Sequence, residues 1–328
     1  MEPMVSVAQR MLYNLYYFLM KLFLAKPRGF CAGVERAIDT VDKAISIWGP
    51  PIYVKHEIVH NRHVIDELKK KGAIFIEDLE QVPIGSRVIY SAHGIPPCIR
   101  EEAKKRNLIE IDATCGLVTK VHSAAKRFAG KGYHILLIGH KDHVEIIGTK
   151  GEAEGVTTIL ESVSDVQALQ FSQDQKLFYL TQTTLSLDDV EEITSALKKK
   201  YPRIETLPSS SICYATTNRQ MALQEIAKNV RLILVVGDFT SSNSNRLREV
   251  AEKRGVGSYL INSKEEIDPL WVQGITRIGM TAGASTPELI VQDCIDRLKE
   301  FGVTEVEEVT YTEEEVFFQL PKEVLHVV

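Results

Sequence analysis

Short β-branched runs alternate with amphipathic stretches through almost the whole chain, and this alternation constrains the fold more than any other feature. The runs are Leu22–Leu24, Ile52–Val54, Ala73–Ile76, Val88–Tyr90, Ile109–Ile111, His134–Ile138, Leu177–Leu180, Leu232–Val236, Tyr259–Ile261 and Arg277–Met280. Between them Val34, Ala37, Ile38, Val41, Ala44, Ile45 and Trp48 recur at spacings of three and four, the period of a helix with one buried face. Val190, Ile193, Ala196 and Leu197 repeat the pattern, and Leu289, Ile290, Ile295 and Leu298 give a looser version. Strand, helix and strand in succession make βαβ units, and βαβ units make parallel sheets covered by helices. The expected class is therefore α/β.

Length and composition narrow the function. A chain of 328 residues gives a prior of about two domains. With 44% hydrophobic and 25% charged residues it has ample apolar surface to offset chain entropy. A net charge of −5 argues against a general nucleic-acid binder, which shows a basic excess. Near the N-terminus Met11–Ala25 is apolar, but Asn14 and Lys21 interrupt it, and it falls short of the roughly 20 residues of a membrane span. It reads as a short helix or extra segment leading into a strand, or as sequence ahead of a start at Met20. No membrane role and a cytoplasmic location are expected. Five dispersed cysteines are too few, and odd in number, for a secreted disulfide scaffold.

Polar, Gly-rich and Ser/Thr-rich clusters fall mostly where an expected strand ends and a helix begins. They are Pro27–Gly33, Ser91–Gly94, Asp112–Cys115, Gly139–His143, Thr181–Thr184, Thr240–Asn245 and Thr281–Ser285. In parallel α/β architectures ligands bind at the carboxyl ends of strands, where unpaired helix N–H groups favour anions. One such cluster would be an ordinary helix cap. Seven, with hydroxyls beyond what capping needs, point to a shared polar site.

Cys31, Cys115 and Cys213 each lie at a junction of this kind, and their separations of 84 and 98 residues divide the chain into comparable lengths. A lone cysteine is most often a small buried apolar residue. These three are instead flanked by turn and capping residues, as ligands brought together by a pseudo-threefold assembly would be. Cys98 and Cys294 sit within helical patterns and read as packing residues. Three thiols without a compact C-x-x-C pair do not resemble a zinc ribbon or finger. They suit an iron–sulfur cluster with one iron left open for substrate.

Among nine histidines, His60, His93 and His143 occupy such settings and read as donors to a phosphate-like group. Glu145 follows His143 by two residues with no basic neighbour. Partly desolvated, it could hold and donate a proton near neutral pH; otherwise it is an ordinary acid at a helix start.

Together these residues carry a resemblance. Pro27-Arg28-Gly29-Phe30-Cys31-Ala32-Gly33-Val34, Val59-His60-Asn61-Arg62, Ser91-Ala92-His93-Gly94 and Asp112-Ala113-Thr114-Cys115 followed by Val118-Thr119-Lys120-Val121-His122 are similar to motifs of one family. So are Thr181-Gln182-Thr183-Thr184-Leu185-Ser186, Ile212–Gln220, Ser241–Arg246 and Thr281–Ser285. The chain resembles the 4-hydroxy-3-methylbut-2-enyl diphosphate reductases, the last enzymes of the methylerythritol phosphate route to isoprenoids, from about Leu22 to about Pro321.

The resemblance implies a trefoil of three similar small α/β domains with parallel sheets around a central 4Fe–4S cluster, its ligands at Cys31, Cys115 and Cys213. The expected boundaries are an N-terminal extension over 1–21, domains over 22–115, 116–209 and 210–301, and a C-terminal arm over 302–328 packing on the body. His60, His93, His143, Ser241, Ser242, Asn243 and Ser285 would hold the substrate diphosphate. The substrate hydroxyl would lie near Thr183, Glu145 would supply protons, and Thr184 and Asn218 would line or support the cavity. The implied reaction is a reductive dehydroxylation consuming two electrons and two protons and yielding isopentenyl and dimethylallyl diphosphates. Arg28–Gly33 lacks the G-x-G start of a dinucleotide fingerprint, so a ferredoxin or flavodoxin-type partner is the implied donor. The chain departs from the family pattern at Val144, where a proline is usual, at Ile147, where a second Glu is usual, at Gly116, where a proline is common, and at Asp238-Phe239-Thr240. The competing readings are a zinc-dependent hydrolase and a cluster-bearing redox sensor.

Overall fold

The computed structural model describes residues 20–325. Residues 1–19 of the expected extension lie outside them, as do 326–328. The strands are β1 (Met20–Lys26), β2 (Ile52–Lys55), β3 (Ala73–Ile76), β4 (Arg87–Tyr90), β5 (Ile109–Asp112), β6 (His134–Ile138), β7 (Thr157–Leu160), β8 (Leu177–Thr181), β9 (Leu232–Val236), β10 (Gly257–Ile261), β11 (Arg277–Ala282) and β12 (Val303–Thr310). They form three sheets in the orders β3-β2-β4-β5, β7-β6-β8 and β10-β9-β11-β1-β12. Every pairing is parallel. The chain is α/β with three parallel sheets, as expected.

The described chain forms two compact units. One comprises Cys31–Thr216 with 316–325 and contains the four- and three-stranded sheets. Its three-stranded sheet carries apolar side chains on both faces. Ile135, Leu137, Phe178 and Leu180 pack with Val121, Ala124 and Ala125 of the helix Gly116–Ala129. Leu136, Ile138, Leu177 and Tyr179 pack with Ile193 and Leu197 of the helix Leu187–Lys200. A strand covered on both faces must be apolar at every position, which is why these runs do not alternate.

The other unit comprises 20–30 with Thr217–Glu315 and contains the five-stranded sheet. Leu232, Leu234 and Val236 of β9 pack on one side with Val291, Cys294, Ile295 and Leu298 of the helix Glu288–Glu300. Ile233 and Val235 pack on the other with Leu247, Val250 and Ala251 of the helix Ser242–Lys253.

Four expectations change. The strand placed at the head of the first domain, β1, pairs in parallel with β11 and β12 and so belongs to the last sheet. Met20 and Lys21, expected in the N-terminal extension, open that strand. The first residues of the expected C-terminal arm are β12, the edge strand of the same sheet. The reason is that apolar periodicity marks a strand without naming its partner, and here the partners come from the far end of the chain. Finally, Cys294 is buried but Cys98 is exposed, because the short helix Pro97–Lys105 buries only Ala103.

Candidate active site

Within the larger unit the three junction cysteines stand at helix starts. Cys31 caps the helix Ala32–Trp48 with no bond from its sulfur, and Cys115 caps Gly116–Ala129. Cys213 precedes the helix Tyr214–Ala227, and its Sγ accepts from the Thr216 backbone N–H at 3.2 Å. A helix N-terminus favours a thiolate. Burial and the neighbouring thiols oppose it, holding Cys115 up at about 11 and Cys213 at about 12. Such thiols ionise when a cation arrives to bind them.

Gly33 makes the approach of the first two sulfurs possible. A methyl group on Gly33 would stand 2.6 Å from Cys115 Sγ and 3.9 Å from Cys31 Sγ, so any larger residue would displace a thiol. Among the described residues no three His, Cys, Asp or Glu side chains close on a single-ion site.

Beside Cys213 lies an acid. Thr183 accepts the Cys213 backbone N–H on its carbonyl at 3.0 Å. The same Thr183 donates its own N–H to Glu145 Oε1 at 2.7 Å and its hydroxyl to Glu145 Oε2 at 3.0 Å. Glu145 opens the helix Val144–Gly151 and is 2% exposed. Burial pushes its carboxyl up to about 7 even though both Thr183 bonds pull the other way. It is therefore near half-protonated at neutral pH, the state a proton donor needs. Gln182, on the preceding position, donates to the Thr184 hydroxyl at 3.0 Å and accepts the His140 N–H at 3.1 Å.

His60, His93 and His143 come from three different loops and meet. The rings of His60 and His93 stack at 4.2 Å, and His143 stands edge-on to them at 5.7 and 6.0 Å. His143 caps the helix of Glu145, its Nδ1 accepting the Glu145 N–H at 3.1 Å. Nδ1 is thereby unprotonated, which leaves the proton of the neutral ring on Nε2. Burial and the neighbouring imidazoles lower His143 to about 4 and push His93 well below its usual range. His93 and His143 are therefore uncharged at neutral pH, and a nearby anion would favour their protonated forms.

The smaller unit carries the remaining expected residues. Ser241 caps the helix Ser242–Lys253, its Oγ accepting from Ser244 N–H at 3.3 Å. Asn243 is buried, and neither its Nδ2 nor its Oδ1 has a hydrogen-bond partner among the described residues. Two orphaned polar atoms at a helix N-terminus suit a polar ligand. Ser242 is half-buried beside them, and Ser285 is buried in the loop after β11. Asn218 donates to Glu314 Oε1 at 2.9 Å.

Sequence reasoning missed two supports. Glu57 Oε2 lies 3.0 Å from His60 Nδ1 and orients that ring; its signal was an acid three residues before the histidine. Arg219, fully buried, donates to the carbonyls of Gly29 and Phe30 and pairs with Glu314, fixing the turn that leads into Cys31. A buried arginine in a polar helix start gives no periodic signal.

The fold is that of an enzyme of the α/β class, and its described residues include junction thiols, a buried carboxyl and a cluster of imidazoles. The chain matches the LytB protein family over residues 22–299 and belongs to that family. It is 70% identical over 307 residues to the 4-hydroxy-3-methylbut-2-enyl diphosphate reductase of Protochlamydia amoebophila, covering 94% of this chain and 98% of that one. The reductase of the same name from Chlamydia pneumoniae is 63% identical, with 93% and 99% covered. The solved E-1-hydroxy-2-methyl-but-2-enyl-4-diphosphate reductase of Plasmodium falciparum superposes with a TM-score of 0.92 at 48% identity, covering 94% of this chain and 98% of that one. A second solved reductase, described as the terminal enzyme of the non-mevalonate pathway, gives 0.62 at 30% identity, with 86% and 100% covered. The chain is an oxidoreductase of this family.

Proposed function

We propose that the chain removes the hydroxyl of (E)-4-hydroxy-3-methylbut-2-enyl diphosphate to give isopentenyl and dimethylallyl diphosphates. Two electrons and two protons are consumed, and the oxygen leaves as water. The observation that carries the reading is Glu145, a buried carboxyl near neutrality, bonded twice to a threonine that also holds the backbone of Cys213.

Cys31, Cys115 and Cys213 would hold a 4Fe–4S cluster. Three soft donors at helix N-termini, with Gly33 leaving room for the sulfurs of Cys31 and Cys115, fit such a group. When bound, it supplies electrons singly and an iron, free of protein ligands, with Lewis-acid character.

The chain's own residues do the rest. Glu145 donates a proton toward the hydroxyl, a poor leaving group until protonated. Thr183 holds both carboxyl oxygens and so fixes where that proton points. His60, His93 and His143 donate N–H bonds to the diphosphate, and binding raises their basicity. The resemblance adds Ser241, Ser242, Asn243 and Ser285 to the diphosphate contacts and Thr184 and Asn218 as supports. Electrons come from a ferredoxin or flavodoxin-type partner.

Anaerobic isolation followed by iron, sulfide and zinc analysis tests the reading against a zinc hydrolase. Brown protein containing iron and sulfide, reducing the hydroxylated diphosphate with an artificial donor, is expected. Colourless protein with stoichiometric zinc would contradict it.

A further inference from the structure

His122 has no part in the chemistry described so far, yet it touches two elements that carry it. It lies on the helix Gly116–Ala129, two turns beyond Cys115, and is 8% exposed. A methyl group on Gly94 would stand 2.9 Å from His122 Cε1 and 3.1 Å from Nε2, and one on Gly148 would stand 3.0 and 3.2 Å from the same two atoms. The Cε1–Nε2 edge of the ring therefore fills the gap between the turn just after His93 and the helix Val144–Gly151 that carries Glu145. The opposite nitrogen, Nδ1, lies 3.4 Å from Glu152 Oε1 at the far end of that helix. Gly94 has φ of 79°, a conformation that favours glycine, so the turn approaches the ring without a side chain of its own.

We infer that His122 is a positioning residue for the reaction, an imidazole spacer that sets the distance between the His93 turn and the Glu145 helix. The inference rests on the function proposed above, in which His93 meets the diphosphate and Glu145 delivers protons. Close-packed interiors transmit such a contact: removing one edge of the ring leaves a void into which the turn or the helix must move. His122 Nε2 and Thr149 Oγ1 are buried without hydrogen-bond partners among the described residues, so the ring edge holds this gap by packing and not by a hydrogen bond. Movement of the helix loosens both Thr183 bonds to Glu145, and those bonds hold its carboxyl down. The carboxyl faces Thr183 and, at longer range, the Cys115 thiol, while Glu152 is the charged group facing His122.

The test compares cluster-loaded parent, His122→Asn and Gly148→Ala under anaerobic conditions. Asparagine keeps a nitrogen able to reach Glu152 but lacks the Cε1–Nε2 edge; the alanine methyl presses on that edge from the other side. The expected result is a kcat lower on the order of tenfold to a hundredfold, as for a misplaced catalytic group. The alkaline limb of the pH–rate profile moves to higher pH, and inorganic pyrophosphate binds more weakly by calorimetry. Iron content and Tm stay near the parent's. A purely structural role would lower Tm without moving the limb. If the parent turns over and both variants keep its limb, its pyrophosphate affinity and its kcat/KM within about twofold, the inference is overturned. If the parent itself does not reduce the diphosphate, the proposed function falls and the positioning role falls with it. Should His122→Asn fail to fold, Gly148→Ala decides the question alone.

Discussion

Thr183 donates to both carboxyl oxygens of Glu145, 2.7 Å from its backbone nitrogen and 3.0 Å from its hydroxyl, while its carbonyl holds the Cys213 backbone at 3.0 Å. One residue thus couples the acid to the thiol loop. The backbone bond survives any substitution except proline, so the hydroxyl can be removed by itself. In Thr183→Val the lost bond no longer pulls the Glu145 carboxyl down, and its titration moves above about 7. Turnover, which needs the protonated acid, then persists to higher pH while its maximum rate falls. The pH–rate profile of the variant checks both effects; an alkaline limb unmoved from the parent's would contradict them.

Glu145 also taxes stability. Its carboxyl titrates near 7 in the folded chain, against 4.5 as the ordinary value. A group raised on folding contributes stability that is fully present below its unfolded pKa and lost as pH rises through its folded one. Between pH 5 and pH 8 the parent should lose roughly 2 to 3 kcal/mol on this account. Glu145→Gln removes the titration, so its Tm should exceed the parent's at pH 8 and match it at pH 5. Scanning calorimetry at the two pH values reads the difference, and an equal gap at both would show that another effect is responsible.

The imidazole cluster should take up protons when an anion binds. His143, lowered to about 4, and His93, pushed well below its usual range by burial and the neighbouring imidazoles, are neutral at pH 7 in the free chain. An anion raises both, so pyrophosphate affinity should increase as pH falls from 8 to 6, with net proton uptake. Calorimetry in buffers of different ionisation enthalpy measures that uptake directly. A Kd flat with pH and no proton exchange would show that these rings do not meet the anion.

Gly33→Ala separates folding from metal binding. Alanine within a helix is about 1 kcal/mol better than glycine, so the chain should fold at least as well. Its methyl would nevertheless stand 2.6 Å from Cys115 Sγ and displace that sulfur. Iron per chain should fall well below the parent's while Tm without iron is unchanged or higher. Full iron content in this variant would mean that Cys115 does not need its present position.

Much of this was legible in the sequence, for reasons that differ by residue. The runs at His134–Ile138 and Leu232–Val236 are strands with those bounds because continuous β-branched stretches between turn signals have few other fates. β7 gave no such signal, since Thr157 and Thr158 make half of it polar, and β12 is acidic and mostly exposed. Sheet partnership was not legible at all: β1 lies between strands drawn from the last third of the chain. The cysteines and histidines stood out because each interrupts a strand–helix junction. Their convergence depends on tertiary structure. So does the titration of Glu145, which follows from burial and leaves no local mark in the sequence. His122 and Arg219 act through other residues and carry no periodic pattern of their own, and Glu57 is marked only by its spacing of three from His60.

Proton delivery by Glu145 in the proposed dehydroxylation is read from anaerobic turnover of the hydroxylated diphosphate by Glu145→Gln and parent, matched for iron content. The parent should form both five-carbon diphosphates, and the variant, unable to hold a proton at that carboxyl, should form them slower by a factor on the order of a hundred or more. Equal rates at equal iron content would contradict the account.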